Sequence, residues 1–410
     1  MASGSARAFA AGFRALGVDA HVTAPSDART RELGARFTSG DECYPAKVTV
    51  GDFMKMLERP DVDPARTVFF LPTADGPCRF GQYAYYLRQV LDANGYQQVE
   101  VLSPTSRNAY AGLGRLARPF VRTAWRMLVA ADVLQKLLLL HRPYERRPGT
   151  SDAVHEECLV DICTTAERSS TATWPQLRAL RGALRRCRRR FAAIDTREDE
   201  SRPLIGVVGE IFCRLNTFSN DDAVRRLEEA GAEVWLSGIG EWVSYTVFEQ
   251  YRKLRLHGQR YSLKTAATWM RERVLHRDER RLLEPFRHDF RGYEEPGVEE
   301  MIECARPYLP ADGSLGEMVL NVGRTICLAA KDVDGIIDIS PFTCMNGIVC
   351  EAIYPRISRD LGGLPIRALH FDGTPQDLEA DLAVYLDMAR SYQRKKTARK
   401  ALPTQISRAS

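Results

Sequence analysis

Residues 203–231, PLIGVVGEIFCRLNTFSNDDAVRRLEEAG, decide the fold. The apolar run 204–209 ends in a polar loop, and helical periodicity follows at once and stops at Gly231. A strand that leads through a loop into a helix reads as a βαβ unit, and hence as part of a parallel sheet. Upstream, TVFFLP is followed by TADGPCRFG and then by the helical QYAYYLRQVLDANG, with Gly95 as its stop. Downstream, DGIIDIS leads through PFTCMNG into IVCEAIYPRIS, and further strand-like runs lie at 233–236 and 366–371. The fold class that follows is α/β, with parallel sheets in two domains and helical insertions.

The chain has 410 residues, 44% hydrophobic and 27% charged, a globular composition that favours two or three domains. The pattern divides it into a first α/β domain (1–108), a helical subdomain (109–200), a second α/β domain with a charged helical excursion near 248–306 (201–391), and a basic disordered tail (392–410). In the helical subdomain the last helix places Leu177, Leu180, Leu184, Cys187, Phe191 and Ile194 at three- and four-residue steps, with arginines on its other faces. The chain opens with a helix over 5–16 and a strand-like 18–23. A doubly wound domain opens with a strand, so either a first strand is missing or this is a module of a longer polypeptide. There is no solenoid repeat.

The longest apolar stretch, 134–140, is interrupted by Gln135 and Lys136 and is too short for a bilayer. Arg7 and Arg14 interrupt the N-terminal segment, which lacks the continuous apolar run of a secretory signal, and a cytoplasmic location is expected. A net charge of +5 does not point to nucleic acid. The arginine-rich ALRGALRRCRRRF reads first as a solvated helical face. If it docks, an acidic protein suits it better than nucleic acid, because no base-reading motif accompanies it. Neither GxxxxGK[ST] nor a strand-linked GxGxxG is present, which excludes ATP hydrolysis and dinucleotide binding by those devices.

Ten cysteines in a large chain argue for metal or thiol chemistry rather than a disulfide framework, and no CxxC pair supplies the spacing of a zinc finger or a bacterial ferredoxin. In open α/β sheets, ligands bind where strands end and loops enter helix N-termini. Cys43, Cys78 and Cys344 all occupy such junctions, where unpaired N–H groups lower a thiol pKa. On spacing alone two readings stand: ligation of a cluster, or three small loop residues.

The strings TSGDECYPAKVTVGDF, FFLPTADGPCRFGQY, PLIGVVGEIFCRLNTFSN, GAEVWLSGIGEW and DGIIDISPFTCMNGIV resemble the 2-hydroxyacyl-CoA dehydratase subunit family and its activase-related relatives. The resemblance is strongest to the module fused behind an ATPase activase, and it spans nearly the whole chain in the same order. It implies two flavodoxin-like domains and a helical part. It also implies a [4Fe-4S] cluster held by Cys43, Cys78 and Cys344, with one iron left without a protein sulfur and open to chemistry. In proteins similar to this one an ATP-driven activase delivers one low-potential electron, and a transient ketyl radical on the substrate lets a hydroxyl leave. The partners implied are an activase, separate or fused, and a second dehydratase-like subunit.

Lys47, Arg79 and Gln82 lie close enough in sequence to the ligands to support them, as do Glu210, Arg214 and Asn216 in the GEIFCRLN loop. The plain alternatives are solvated or paired cations and, for Glu210, a capping role. Two departures stand out. Where the family has CMPG, this chain has Cys344-Met345-Asn346-Gly347, replacing a proline with a residue tolerant of left-handed geometry. The family's GEIYVR appears as GEIFCR, and Cys213 reads as a packing residue ahead of a fourth ligand or redox partner. The remaining cysteines read as packing residues. The leading functional reading is a cluster-bearing component of an ATP-dependent low-potential electron-transfer system. A noncatalytic relay, a true dehydratase subunit and a cluster-based reductase are the alternatives.

Overall fold

The computed structural model describes residues 3–73, 78–104, 110–197, 199, 201–259, 261–310 and 316–401. Helix α1 (Ser3–Arg14) opens it, and α2 (Ala28–Phe37) and α3 (Tyr44–Leu57) follow. The first sheet pairs β1 (Val68–Phe70) with β2 (Glu100–Leu102) in parallel, Val68 opposite Glu100, with α4 (Tyr83–Ala93) as the crossover. β2 is a strand that the sequence pattern did not reveal. Leu33, Val50, Met54, Phe69, Leu87 and Leu91 form the core of this unit.

The strand expected at 18–23 is absent. Val18 and Ala20 pack instead against the Phe13 and Phe120 rings, and Arg14 Nη1 takes the Ala20 carbonyl at 2.8 Å, an acceptor that a neighbouring strand would otherwise fill.

Three helices follow: α5 (Ala117–His141), α6 (Thr150–Arg168) and α7 (Thr173–Ala192). The periodic face read from α7 is the buried one, since Leu177, Leu180, Leu184, Cys187, Phe191 and Ile194 all lie in the helical core with α5 and α6. The arginines around it are largely paired: Arg186 and Arg190 with Asp161 of α6, and Arg188 with Asp289.

The second sheet carries β3 (Leu204–Gly209), then α8 (Ile211–Leu215), α9 (Ala223–Glu229) and β4 (Glu233–Leu236). The helical excursion begins with α10 (Ile239–Leu256), earlier than the charge pattern suggested, and continues with α11 (Leu263–Leu283) and α12 (Val298–Ala305). α13 (Glu317–Ala330), β5 (Gly335–Pro341), α14 (Met345–Asp360), β6 (Ile366–Phe371) and α15 (Leu378–Ala401) complete the described chain. The four strands are parallel in the order β4-β3-β5-β6, with Val208 opposite Asp338 and Ile339 opposite Leu369. Both faces are covered, as a parallel sheet requires. Val207, Ile337 and Leu369 meet Leu382 and Leu386 of α15 on one side, and Val208, Ile336 and Trp235 meet Leu328 of α13 on the other.

The basic tail expected to be disordered from 392 is helical as far as Ala401. Two side chains tie it to the second domain: Lys396 Nζ lies 2.6 Å from the buried Asp334 carboxylate, and Gln393 Nε2 donates to the Arg202 carbonyl at 3.2 Å. The rest of that expectation, 402–410, lies outside the described residues, as do 74–77 of the FFLPTADGPCRFGQY string. Among the described residues no helix is long and apolar enough to cross a membrane.

The sheets meet through α3. Its Tyr44 and Val48 enter the core beneath the second sheet, and Gly373, just beyond β6 with φ +90°, gives the Tyr44 ring the room that a Cβ would fill. This contact brings the loops at the carboxyl ends of both sheets into one neighbourhood.

Candidate functional site

Cys43, Cys78 and Cys344 occupy one and the same local position. Each is the extended residue immediately before a helical turn: α3 for Cys43, the 3-10 turn Arg79–Gln82 that leads into α4 for Cys78, and α14 for Cys344. Serine, threonine or aspartate ordinarily fills that position, because its side chain accepts from the orphan N–H groups of the first turn. None of the three sulfurs closes a full capping bond. Backbone N–H groups nevertheless face them, from Ala46 toward Cys43, Phe80 toward Cys78, and Gly347 and Asn346 toward Cys344. Thr343, just ahead of Cys344, is held at φ +62°, a conformation that costs a β-branched residue energy. The left-handed geometry that Asn346 would tolerate is found instead at Thr343, and Asn346 itself lies in the first turn of α14.

Burial, not the helix ends, sets the thiol pKa values. It pushes Cys43 upward, Cys78 to about 11 and Cys344 to about 12, and the N–H groups only partly offset it. The sequence-based expectation of lowered pKa values is thus reversed, because desolvation outweighs the partial charge of a helix terminus. Cys78 has an exposed face, yet protein crowds its remaining sides.

One half-buried carboxyl group faces all three thiols. Glu210 lies within electrostatic reach of all of them, and Glu317 within reach of Cys78 and Cys344. Cys43 also lies within reach of Cys78. Among the described residues no group of three or more His, Cys, Asp or Glu side chains closes tightly enough to hold a single metal ion. The thiols themselves are the soft donors available for a larger inorganic centre.

The supporting residues named from sequence divide clearly. Arg79 Nη1 donates to the Asp41 carbonyl at 2.5 Å, tying the Cys78 turn to the loop of Cys43, and its charge favours the Cys43 thiolate. Glu210 does cap α8, accepting from Phe212 N at 3.0 Å and Cys213 N at 2.7 Å, while burial holds its carboxyl above the usual range. The buried Arg214 binds the carbonyls of Gly209 at 2.9 Å and Gly238 at 3.4 Å, the ends of the loops that leave β3 and β4. Asn216 is structural: its Oδ1 accepts from Ser219 N at 2.9 Å, and its Nδ2 reaches Ser26 Oγ at 3.4 Å. Gln82 is exposed and caps nothing, and the charge of Lys47 acts on the Asp372 carboxyl. Cys213 is fully buried in the core beneath the sheet, the packing role read for it.

Three further residues belong to this region. Tyr83 Oη lies 2.7 Å from Cys43 Sγ, so the helix that follows Cys78 touches Cys43 directly. Tyr83 ends the GPCRFGQY block, and its position one residue past Gln82 was the available signal. Glu317 opens α13 and accepts from Ile211 N at 3.1 Å; nothing in its local sequence marks it. Asp132 of α5 accepts from Ile239 N at 3.2 Å and Gly240 N at 2.7 Å, capping α10 from another helix. That contact explains the GIG pattern, since a Cβ on Gly238 would meet the Asp132 carboxyl at 2.7 Å and one on Gly240 at 3.0 Å.

Two surface features stand out, one around Cys344 and one on the helical layer. Phe342, Met345 and Ile348 surround Cys344 in sequence and are 59%, 40% and 53% exposed. On the helical layer, Arg185, Arg188, Arg189, Arg287 and His288, with the one acid Glu284 among them, line a groove of about 800 Å³ beside α7.

A scan against models of protein families and a search of curated proteins each return no match for this chain.

Proposed function

We propose that Cys43, Cys78 and Cys344 hold a [4Fe-4S] cluster and that the chain accepts low-potential electrons from an ATPase activase. The observation that carries this reading is the three unfilled cap positions. Three cysteines distant in sequence stand at helix N-termini within electrostatic reach of one carboxyl group, that of Glu210, each sulfur faced by backbone N–H groups. N–H groups and buried surroundings are the levers by which a protein sets a cluster's potential. The raised thiol pKa values do not stand in the way, because a metal deprotonates a coordinating thiol outright. When bound, the cluster would supply one-electron chemistry at an iron that no protein sulfur covers.

The chain's own residues would hold and shield the centre. Tyr83 orients Cys43, Arg79 fastens the two N-terminal loops together, and Glu210 and Glu317 place acid groups beside the open side. In this reading the β4-β3-β5-β6 sheet is flavodoxin-like, its order following the doubly wound pattern in which ligands bind beyond the strand ends. The apolar rim of Phe342, Met345 and Ile348 suits a second dehydratase-like subunit closing over Cys344, since exposed apolar patches mark interfaces. The arginine groove beside α7 suits an acidic face of the activase.

The test is reduction of the anaerobically reconstituted protein by a dehydratase-type activase with ATP and a low-potential donor, followed by electron paramagnetic resonance. A reduced-cluster signal that requires ATP, and that weakens about tenfold or more in yield when Arg185 and Arg189 are changed to Glu, supports the reading. Reduction at the same rate without ATP would remove the activase from it. Turnover of a 2-hydroxyacyl-CoA by the reduced protein would identify a dehydratase subunit, and reduction without turnover a relay.

A further inference from the structure

Away from the candidate site, α12 and α13 pack at unusually close range. Gly323 of α13 lies against the Met301 backbone of α12, where any Cβ would collide with it, so the two helix backbones are in contact at that level. One turn further along each helix, Met301 is succeeded by Cys304 and Gly323 by Cys327, residues that share the same helix faces. Their sulfurs are 3.3 Å apart, with Cys327 Sγ donating to Cys304 Sγ. Cys304 is partly exposed and Cys327 is 2% exposed.

We propose that Cys304 and Cys327 are a redox-active thiol pair, which an external disulfide of the glutathione class converts into a covalent link between α12 and α13. The Cys304 thiolate attacks one sulfur of the oxidant, forming a mixed disulfide and expelling one small thiolate. Cys327 then attacks the Cys304 sulfur, a second small thiol leaves, and the proton from Cys327 goes to the departing thiolate. Two protein thiols lose two electrons and the oxidant's disulfide gains them. The order follows from access: Cys304 reaches solvent, while burial and its hydrogen bond to Cys304 push the Cys327 thiol upward and suit it to the second step. The contrasting pair, Cys158 and Cys187, is likewise close but wholly buried, so no oxidant reaches it.

The link has a place to act. α12 belongs to the helical excursion, whereas α13 presents Glu317 to the candidate site and holds the end of β3, where Asn321 Oδ1 accepts from Gly209 N at 3.2 Å. Oxidation therefore fastens the excursion to the helix that borders the three N-cap thiols. The inference stands on the sulfur geometry and is independent of what those thiols bind.

The test is titration of the full chain with oxidised glutathione, followed by alkylation of free thiols and peptide mapping without reductant. The expected result is a linked 304–327 peptide pair that dithiothreitol reverses, together with a rise of a few degrees in Tm, because a cross-link restricts the unfolded chain. Cys304→Ser and Cys327→Ser should each abolish the pair and the Tm rise, with circular dichroism confirming that both variants fold. A glutathione adduct on Cys304 in the Cys327→Ser variant serves as the positive control for oxidant activity. Glutathione adducts on Cys304 of the natural chain with no 304–327 link at any ratio would overturn the proposal, as would an oxidant-dependent Tm rise that persists in either variant.

Discussion

β5, at the centre of the four-stranded sheet, is buried along all seven of its residues, whereas β1 and β2 carry three residues each and only Phe69 of the six is fully buried. The candidate site draws from both regions. Cys344 rises from the end of a strand flanked by paired strands and covered on both faces. Cys43 and Cys78 sit on a thinner unit whose loops are fastened by side-chain ties, Arg79 to the Asp41 carbonyl and Tyr83 to Cys43. One side of the site is thus set by the sheet and the other by a few polar contacts. Local opening takes the path with the fewest buried contacts, so the first unit yields before the second.

The largest effect that would break this contrast is a matched pair of cavities. Ile337→Ala in β5 and Leu91→Ala in α4 each empty a position that is 0% exposed, and each should cost about 2–5 kcal/mol. Denaturant titration with hydrogen exchange should show the first lowering protection across the whole chain and the second lowering it mainly in residues 28–104. Equal global losses from both would mean that the two halves unfold as one.

Next comes pH. Burial raises Asp132 to about 7 and Glu228 to about 7, the latter against the pull of Arg142. The folded chain therefore keeps protons that the unfolded chain releases near the ordinary carboxylate range. Stability from these two groups is complete below about pH 4 and is lost as pH rises toward about 7. Asp132→Asn keeps one acceptor for the α10 amides and should flatten the fall measured by urea titration across that window. An unchanged slope would remove Asp132 from the account.

The smallest effect is the sharpest probe of the N-terminal side. Arg79→Ala removes one partly exposed hydrogen bond and should cost about 1 kcal/mol or less overall. Exchange should nevertheless quicken in α3 and α4 while β5 stays protected. Slower exchange there, or a change confined to β5, would contradict the tie.

The second sheet was legible because its strands are long and apolar and each leads directly into a periodic helix, as 204–209 and 335–340 do. β2 was not, since the three residues Glu100–Leu102 are too short to show a period. The apolar residues at 18–23 misled for a related reason: Val18 and Ala20 are needed by an aromatic cluster with Phe9, Phe13, Phe70 and Phe120, and alternation alone cannot tell that from a sheet. At the site, the three cysteines were visible as loop-to-helix junctions, and all three are N-cap residues. Glu317 and Asp132 were invisible because each acts on an element far away in sequence, and Lys47 and Gln82 were proposed through nearness in sequence alone, whereas Gln82 is exposed and the charge of Lys47 acts on Asp372.

The most direct measurement is the iron and acid-labile sulfide content of the protein reconstituted without oxygen, for the natural chain and four serine variants. The account predicts about four irons and four sulfides per chain, lost in Cys43→Ser, Cys78→Ser and Cys344→Ser and retained in Cys213→Ser. Iron and sulfide that survive in any of the first three variants, or a natural chain that takes up zinc and no sulfide, would contradict it.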